Sequence, residues 1–172
     1  MSIVTEGQGR GNVSPIAGRS RPSTLPREIP GPDYFVKVPD GNYIAKFAGS
    51  EGFWYRGRQP RVVLWFAITE GDQKGARVAA YYNVKQLQGC HRSRRRNPRF
   101  IVGWRSDLTA HLSILFPDRY AVGNLPENIP EAELKGQTLL IETRTNAKTH
   151  DGSQRAEAFH YSVVKAILGW AE

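Results

Sequence analysis

The segment from Arg61 to Val84 contains two apolar runs of alternating parity, separated by a polar loop with Gly71 and Gly75. Side chains of one parity point to the same side of a strand, so this pattern predicts a long β-hairpin with one parity facing the core. The core-facing residues are Val62, Leu64, Phe66, Ile68, Val78, Ala80, Tyr82 and Val84. We expect the rest of the fold to be built around this hairpin.

The opposite parity of the hairpin combines two flat aromatic rings with a guanidinium. It comprises Val63, Trp65, Ala67, Arg77, Ala79, Tyr81 and Asn83. Aromatic rings on an open sheet face can stack nucleic-acid bases, and arginine adds cation–π contacts and phosphate pairing. Trp65, Tyr81 and Arg77 are therefore candidate nucleic-acid-binding residues.

Comparable patterns predict the remaining elements. These are a strand at Asn42–Ala48, a helix at Leu108–Phe116 capped by Ser106-Asp107, a helical turn at Pro130–Gly136, and strands at Thr138–Thr145 and Arg155–Ile167. The Ser-Asp cap begins the helix and Pro117 ends it. Five strands with one helix between the third and the fourth is the order of the OB-fold. The predicted fold class is therefore a mainly β, five-stranded Greek-key barrel.

In an OB-fold, the loops after strands one and four flank the binding face. The predicted first loop, Gly49 to Pro60, holds three consecutive aromatic residues and two arginines. Its rings either fold down as a local lid or are held out for a ligand, and the sequence leaves both open. The candidates in these two loops and their flanks are Trp54, Arg56, Arg58, Arg144 and Lys148.

The formal net charge of +8 favours polyanions as partners. Much of it lies in an arginine-rich insertion at residues 85–105, where six arginines occur between His91 and Arg105 with no acidic residue. Either this is a solvated loop, or the arginines bind an anion that offsets their mutual repulsion. The insertion contributes Arg92, Arg94, Arg95, Arg96 and Arg99 as candidate nucleic-acid contacts.

The chain divides into a tail and one domain. No Phe, Trp or Tyr occurs before Tyr34, and the tail is rich in Gly, Pro, Ser and Arg. Such a composition buries too little apolar surface to order itself, so we expect residues 1–33 to be disordered. Residues 34–172 are expected to form a single nucleic-acid-binding domain.

Other classes of function have little support in the sequence. No apolar run is long enough to span a membrane, and no basic-then-apolar secretory signal is present, so we expect a cytoplasmic protein without a membrane partner. Cys90 is the single cysteine, and the four histidines do not show paired metal-ligand spacing. No nucleophile, phosphate-loop or zinc-protease motif occurs. We therefore expect no metal, no cofactor and no catalysis.

Several short motifs follow one another in a distinctive order. They are Asp40–Tyr43, Leu64–Gly71 followed by Lys74-Gly75, Tyr81–Asn83, and Leu134–Gly136. In this order they resemble phage- and plasmid-borne single-stranded-DNA-binding proteins, over roughly Val38 to Ile167. The resemblance implies non-catalytic, largely sequence-independent binding of single-stranded DNA in replication, recombination or transfer of a phage or mobile element. The arginine-rich insertion lies outside that pattern.

Two other functions stay open. The chain could be an RNA- or duplex-binding module in which the arginine run does most of the binding. It could instead be a coat or inhibitor protein of a mobile element, whose basic insertion meets an acidic protein surface. Base preference, the number of nucleotides covered and self-association into a homo-oligomer are not decided by the sequence.

Overall fold

The computed structural model describes residues 36–89, 94–120, 123–148, 152–157 and 160–171. The predicted disordered tail and Arg92 lie outside the described residues. The strands are β1 Gly41–Tyr55, β2 Gln59–Ile68, β3 Arg77–Asn83, β4 Gln86–Gln88, β5 Arg95–Arg96, β6 Arg99–Ile101, β7 Thr138–Asn146 and β8 Tyr161–Trp170. The helices are α1 Asp107–Leu115 and α2 Glu131–Leu134. The prediction of a mainly β protein is confirmed.

Five of the strands form a closed, ring-like sheet. Their order is β2-β3-β8-β7-β1, and pairing of β1 with β2 closes the ring. The contact between β3 and β8 is parallel and joins Ala79 to Val163, whereas the other ring contacts are antiparallel. The short strand β5 adds to the outside of this ring by pairing with β1.

The predicted hairpin is present as β2 and β3, with Val62 opposite Tyr82 and Phe66 opposite Val78. All eight residues of the predicted core-facing parity are buried. Helix α1 adds Leu108, Leu112 and Leu115 to the same core. Its N-cap is Ser106, whose Oγ accepts a hydrogen bond from the Thr109 N–H at 3.2 Å, as expected for a serine at this position.

The prediction of a loop from Gly49 to Pro60 is wrong. Strand β1 continues through it to Tyr55 and pairs with β2 as far as Gln59, so only Arg56–Arg58 form the turn. The glycines and polar residues that suggested a loop are tolerated in this strand because β2 satisfies its backbone hydrogen bonds. The result is an extended two-stranded arm, which we call the β1–β2 arm.

The arginine-rich insertion is tied to the core. Strands β4 and β6 pair with each other, and Leu87 and Phe100 turn their side chains inward and are buried. A Cβ atom at Gly52 would lie 2.4 Å from Pro98 Cγ, so the missing side chain lets the insertion pack directly on the arm. The backbone of the described part of the insertion is therefore not a simple loop, although the side chains of Arg94, Arg95, Arg96 and Arg99 are exposed.

The last predicted strand is displaced. Strand β8 begins at Tyr161 and extends to Trp170, instead of running from Arg155 to Ile167. Trp170 is held at its end by a hydrogen bond from its indole N–H to the Leu115 carbonyl at 3.0 Å. Within the described part of the chain, no helix has the length and apolar character needed to cross a membrane.

Candidate nucleic-acid interface

An open groove of about 370 Å³ lies against the outer face of the ring, between the β1–β2 arm and the ends of β7 and β8. We call it the outer groove. It is lined by Phe53, Tyr55, Arg61, Tyr81, Arg94, Asn146, Tyr161, Val163 and Val164. Four of these side chains are aromatic and two are arginines, so the lining combines flat ring faces with positively charged groups.

Arg61 is held in the groove by three interactions. Its Nε donates to Asn83 Oδ1 at 3.0 Å, and its Nη2 donates to Gln59 Oε1 at 3.2 Å. Its guanidinium carbon lies 4.0 Å from the centre of the Tyr55 ring. Both hydrogen-bond partners are neutral amides, so neither brings a negative charge to the guanidinium, and the three contacts restrict its orientation.

Two further rings of the groove also carry a guanidinium. Arg94 lies 5.1 Å from the centre of Phe53, and Arg155 lies 5.2 Å from the centre of Tyr161. Arg155 is fixed by its Nε, which donates to the Lys148 carbonyl at 2.8 Å. Three rings of the groove lining therefore each have a guanidinium beside them, an arrangement that suits a ligand with flat apolar groups joined by anions.

Tyr81 lies on the floor of the groove and is half-buried. Burial is the largest cause that raises its pKa to about 12, and the neighbouring Tyr161 adds to the shift. The hydroxyl, already neutral at physiological pH with the ordinary pKa of 10.0, stays neutral to a higher pH. A neutral phenol does not repel phosphate, and its ring face can take part in stacking.

The other end of the groove is polar. Asn146 Nδ2 donates to the Tyr161 hydroxyl at 2.9 Å. These two residues are opposite one another across β7 and β8. This hydrogen bond orients the Tyr161 ring at the groove wall, and the amide and phenol supply hydrogen-bonding groups beside it.

Two of the residues singled out from the sequence line the outer groove, namely Tyr81 and Arg94. Trp65 and Arg77 lie on the same outer face but toward the opposite end of the hairpin, where Trp65 is half-buried between Gly49 and Ala79. The predicted outer parity is not wholly open, because Val63 and Ala79 are buried.

Trp54 lies on the other side of the arm. It is paired with Pro60 and packs against the hydrophobic core, whereas its neighbours Phe53 and Tyr55 face the groove. The sequence left open whether these rings fold down onto the protein or are held out. Because neighbours in a strand alternate between faces, Trp54 folds onto the core, whereas Phe53 and Tyr55 face the groove. Trp54 is placed to support the arm, not to contact a ligand in the groove.

The remaining described candidates are cations at the protein surface, outside the groove lining. Exposed side chains belong to Arg56, Arg58, Arg95, Arg96, Arg99, Arg144 and Lys148. Arg56 and Arg58 lie in the turn at the tip of the arm, and Arg56 is 5.4 Å from the centre of the Tyr55 ring. Arg95 Nη1 donates to the Gly89 carbonyl at 3.3 Å. These positions can widen a positive field without forming part of the groove wall.

Sequence reasoning missed Phe53, Tyr55, Arg61, Asn146 and Tyr161. A signal for the first two was present, because strand alternation through the aromatic run would have separated Trp54 from both neighbours. The prediction of a loop over this run left that alternation out of account. Asn146 and Tyr161 had no comparable signal, since their closeness depends on the pairing of β7 with β8.

Another pair of titratable side chains lies outside the groove lining. The Tyr82 hydroxyl lies 2.8 Å from His111 Nδ1, and burial is the largest cause that lowers the pKa of His111 and raises that of Tyr82. This pair joins β3 to α1 in the interior. Among the residues that the structure describes, no cluster of three or more His, Cys, Asp or Glu side chains could hold a metal ion.

Comparison of the chain with protein-family models, with curated proteins and with solved structures gave no match.

Proposed function

We propose that this protein binds single-stranded DNA without catalysis and largely without sequence preference, through the outer groove. The observation that carries the proposal is a set of three ring–guanidinium pairs, in which Tyr55, Phe53 and Tyr161 each have an arginine within 4.0–5.2 Å of the ring centre. A single strand presents flat bases and phosphates close together, which matches rings and guanidiniums placed side by side.

The order of the strands supports an OB-fold. If β1, β2, β3, β7 and β8 are counted as strands one to five, the ring order is 1-2-3-5-4 with closure onto strand 1, and α1 lies between strands three and four in the chain. OB-folds bind oligonucleotides on the face of strands two and three. The outer groove takes Arg61 from strand two and Tyr81 from strand three, and the rest of its lining comes from strands one, four and five and from Arg94.

In the proposed mechanism, bases leave the solvent and stack on the rings of Tyr81, Phe53 and Tyr55. Each stacked base contributes about 1–3 kcal/mol, and every base has a flat face, so this term does not depend on sequence. Arg61 and Arg94 meet the phosphates between the stacked bases, which adds a salt-dependent term. A duplex keeps its bases stacked on each other and offers the groove only its backbone.

The role in replication, recombination or transfer of a phage or mobile element belongs to the same proposal. It is supported by the resemblance of the ordered motifs between Val38 and Ile167 to phage- and plasmid-borne single-stranded-DNA-binding proteins. In such processes DNA is exposed as a single strand for short periods. RNA is the nearest alternative ligand, because stacking on aromatic rings does not distinguish it from DNA unless a 2′-hydroxyl is contacted.

The test is a competition titration of nuclease-treated protein. Labelled oligo-dT is displaced by unlabelled oligo-dT, by duplex DNA and by RNA of equal length. The proposal expects oligo-dT to compete at least about tenfold better than the duplex, because the stacking term is lost in a duplex. Equal competition by duplex would overturn it in favour of a backbone-binding module.

Arg61→Ala provides the matching variant, because it removes a guanidinium stacked on a groove ring. Arg119→Ala is its control, since Arg119 also lies over a tyrosine ring, 5.5 Å from the centre of Tyr120, and is paired with Glu133 away from the groove lining. Arg61→Ala should weaken oligo-dT binding and lower the slope of log affinity against log salt by about 0.7. The control should leave both unchanged.

The arginine insertion is tested in the same way. Replacing Arg94, Arg95 and Arg96 together by alanine should lower the salt slope by roughly two units if all three meet phosphate. A variant that keeps the slope and affinity of the parent protein would show that the insertion does not bind nucleic acid. A protein complex that survives nuclease treatment would then favour the coat or inhibitor function.

A further inference from the structure

Trp104 is the most exposed large apolar side chain in the described part of the chain, with 67% of its surface open to solvent. It follows β6 and lies two residues before Ser106, the N-cap of α1, outside the lining of the outer groove. The guanidinium carbon of Arg105 lies 4.3 Å from the centre of its ring. The indole therefore presents a flat ring to solvent next to a cation, a combination that can stack a base beside a phosphate.

The chain that follows strand β3 passes beside the segment that carries Trp104. The outer parity of β3 contains Tyr81 and Asn83, and continuing the alternation past the end of the strand reaches Lys85. The Lys85 N–H donates to the Ile101 carbonyl at 2.8 Å, which holds the chain beside β6. At about 3.3 Å per residue, Lys85 is at most about 13 Å from Tyr81.

Lys85 then reaches across to the residue before Trp104. A Cβ atom at Gly103 would lie 3.5 Å from Lys85 Cε and 3.8 Å from its Nζ. The ammonium group of Lys85 is therefore beside the backbone that carries the indole. Lys85 thus lies four residues beyond Tyr81 and places a cation beside the chain segment that carries the indole.

The chain segment that leads to Trp104 carries charge of one sign. The sequence has no acidic residue from 85 to 105, and the side chains of Arg99 and Arg105 are exposed. The first acidic residue beyond is Asp107, in the first turn of α1. An aromatic ring set among cations suits a base with its flanking phosphates better than it suits an apolar protein segment.

We propose that Trp104 forms a second stacking site, which takes a base of the same single strand after the strand leaves the outer groove, while Lys85 and Arg105 meet the adjoining phosphates. This inference rests on the proposed function and extends the binding path beyond the groove. Trp104 then contributes only when the strand is long enough to reach it.

The experiment compares oligo-dT of about 4 and about 16 nucleotides, the two ends of the range that one OB-fold covers. Trp104→Ala should weaken binding of the long oligonucleotide by about five- to a hundredfold, the loss of one stacked base, and leave the short one unchanged. Trp104→Phe keeps a flat ring and should restore most of the affinity. Ile114→Ala is the control, because Ile114 is an exposed apolar residue of α1, 48% open to solvent.

Two results would overturn the inference. Equal affinities of Trp104→Ala and parent protein for the long oligonucleotide would show that no base stacks there. A change of oligomeric state in Trp104→Ala, measured by sedimentation, with DNA affinity unaltered, would assign the indole to contact between copies of the chain. Tyr81→Ala separates this failure from that of the proposed function, since loss of groove binding weakens both oligonucleotides. If the parent protein binds neither, the proposed function fails as well.

Discussion

Arg94 Nη1 lies 3.3 Å from Glu51 Oε2, so the guanidinium over the Phe53 ring is already paired with a carboxylate. The two residues are brought together because β5 pairs with β1, with Arg96 opposite Glu51. A phosphate entering the outer groove would have to compete with that carboxylate for Arg94. Glu51 is therefore expected to weaken the binding of an anionic ligand.

Glu51→Gln should accordingly increase affinity for oligo-dT. Release of Arg94 from an exposed ion pair is expected to raise affinity about two- to fivefold, and to steepen the salt dependence. Glu133→Gln is the control, because Glu133 forms an ion pair of 2.7 Å with Arg119 away from the groove lining. Titration at several salt concentrations measures both quantities. Weaker binding by Glu51→Gln would mean that the carboxylate positions Arg94 instead of competing for it.

Tyr81→Ala should weaken oligo-dT binding by about ten- to a hundredfold, because the ring on the groove floor is lost. Trp65→Ala is expected to have a smaller effect on affinity, since Trp65 lies on the same face but outside the groove lining. Neither change should alter the slope against salt, which reports phosphate contacts. An equal or larger loss with Trp65→Ala would place the path of the strand along the opposite end of the hairpin.

The raised pKa of Tyr81 predicts a specific dependence of stability on pH. Its pKa is about 12 in the folded protein, above the ordinary value of 10.0. The neutral form is favoured by folding, so this stabilisation is complete below about pH 10 and is lost as pH rises toward about 12. The total is up to about 3 kcal/mol. Urea unfolding near pH 8 and near pH 11 should show a smaller fall for Tyr81→Phe than for the parent protein.

Gly52→Ala tests the seating of the arginine insertion. A Cβ atom there would lie 2.4 Å from Pro98 Cγ and 3.0 Å from Leu87 Cδ2, so the insertion must shift. We expect a loss of about 1–3 kcal/mol in the free energy of unfolding, typical of an overpacked core. Gly41→Ala, in the same strand, is the control, because its nearest contact is Tyr43 Cε2 at 3.9 Å. Urea denaturation measures both, and equal midpoints would show that the insertion is loosely held.

Features that depend on neighbours in the chain could be predicted from the sequence alone. The alternation between Arg61 and Val84 determined which residues of β2 and β3 face the core, because a strand has a fixed period of two. The serine before α1 and the leucines within it likewise determined where that helix begins and which face it buries. The concentration of arginine between residues 91 and 105 was also evident without a structure.

Only the tertiary structure decided which residues form the groove. The segment with Gly49 and Gly52 resembles a loop locally, yet pairing with β2 makes it a strand and so turns Phe53 and Tyr55 away from Trp54. Arg94 reaches Phe53 through the pairing of β5 with β1, and Tyr161 is placed beside Asn146 by the pairing of β7 with β8. These contacts join residues far apart in the chain. Their geometry follows from sheet closure and core packing, which local patterns do not encode.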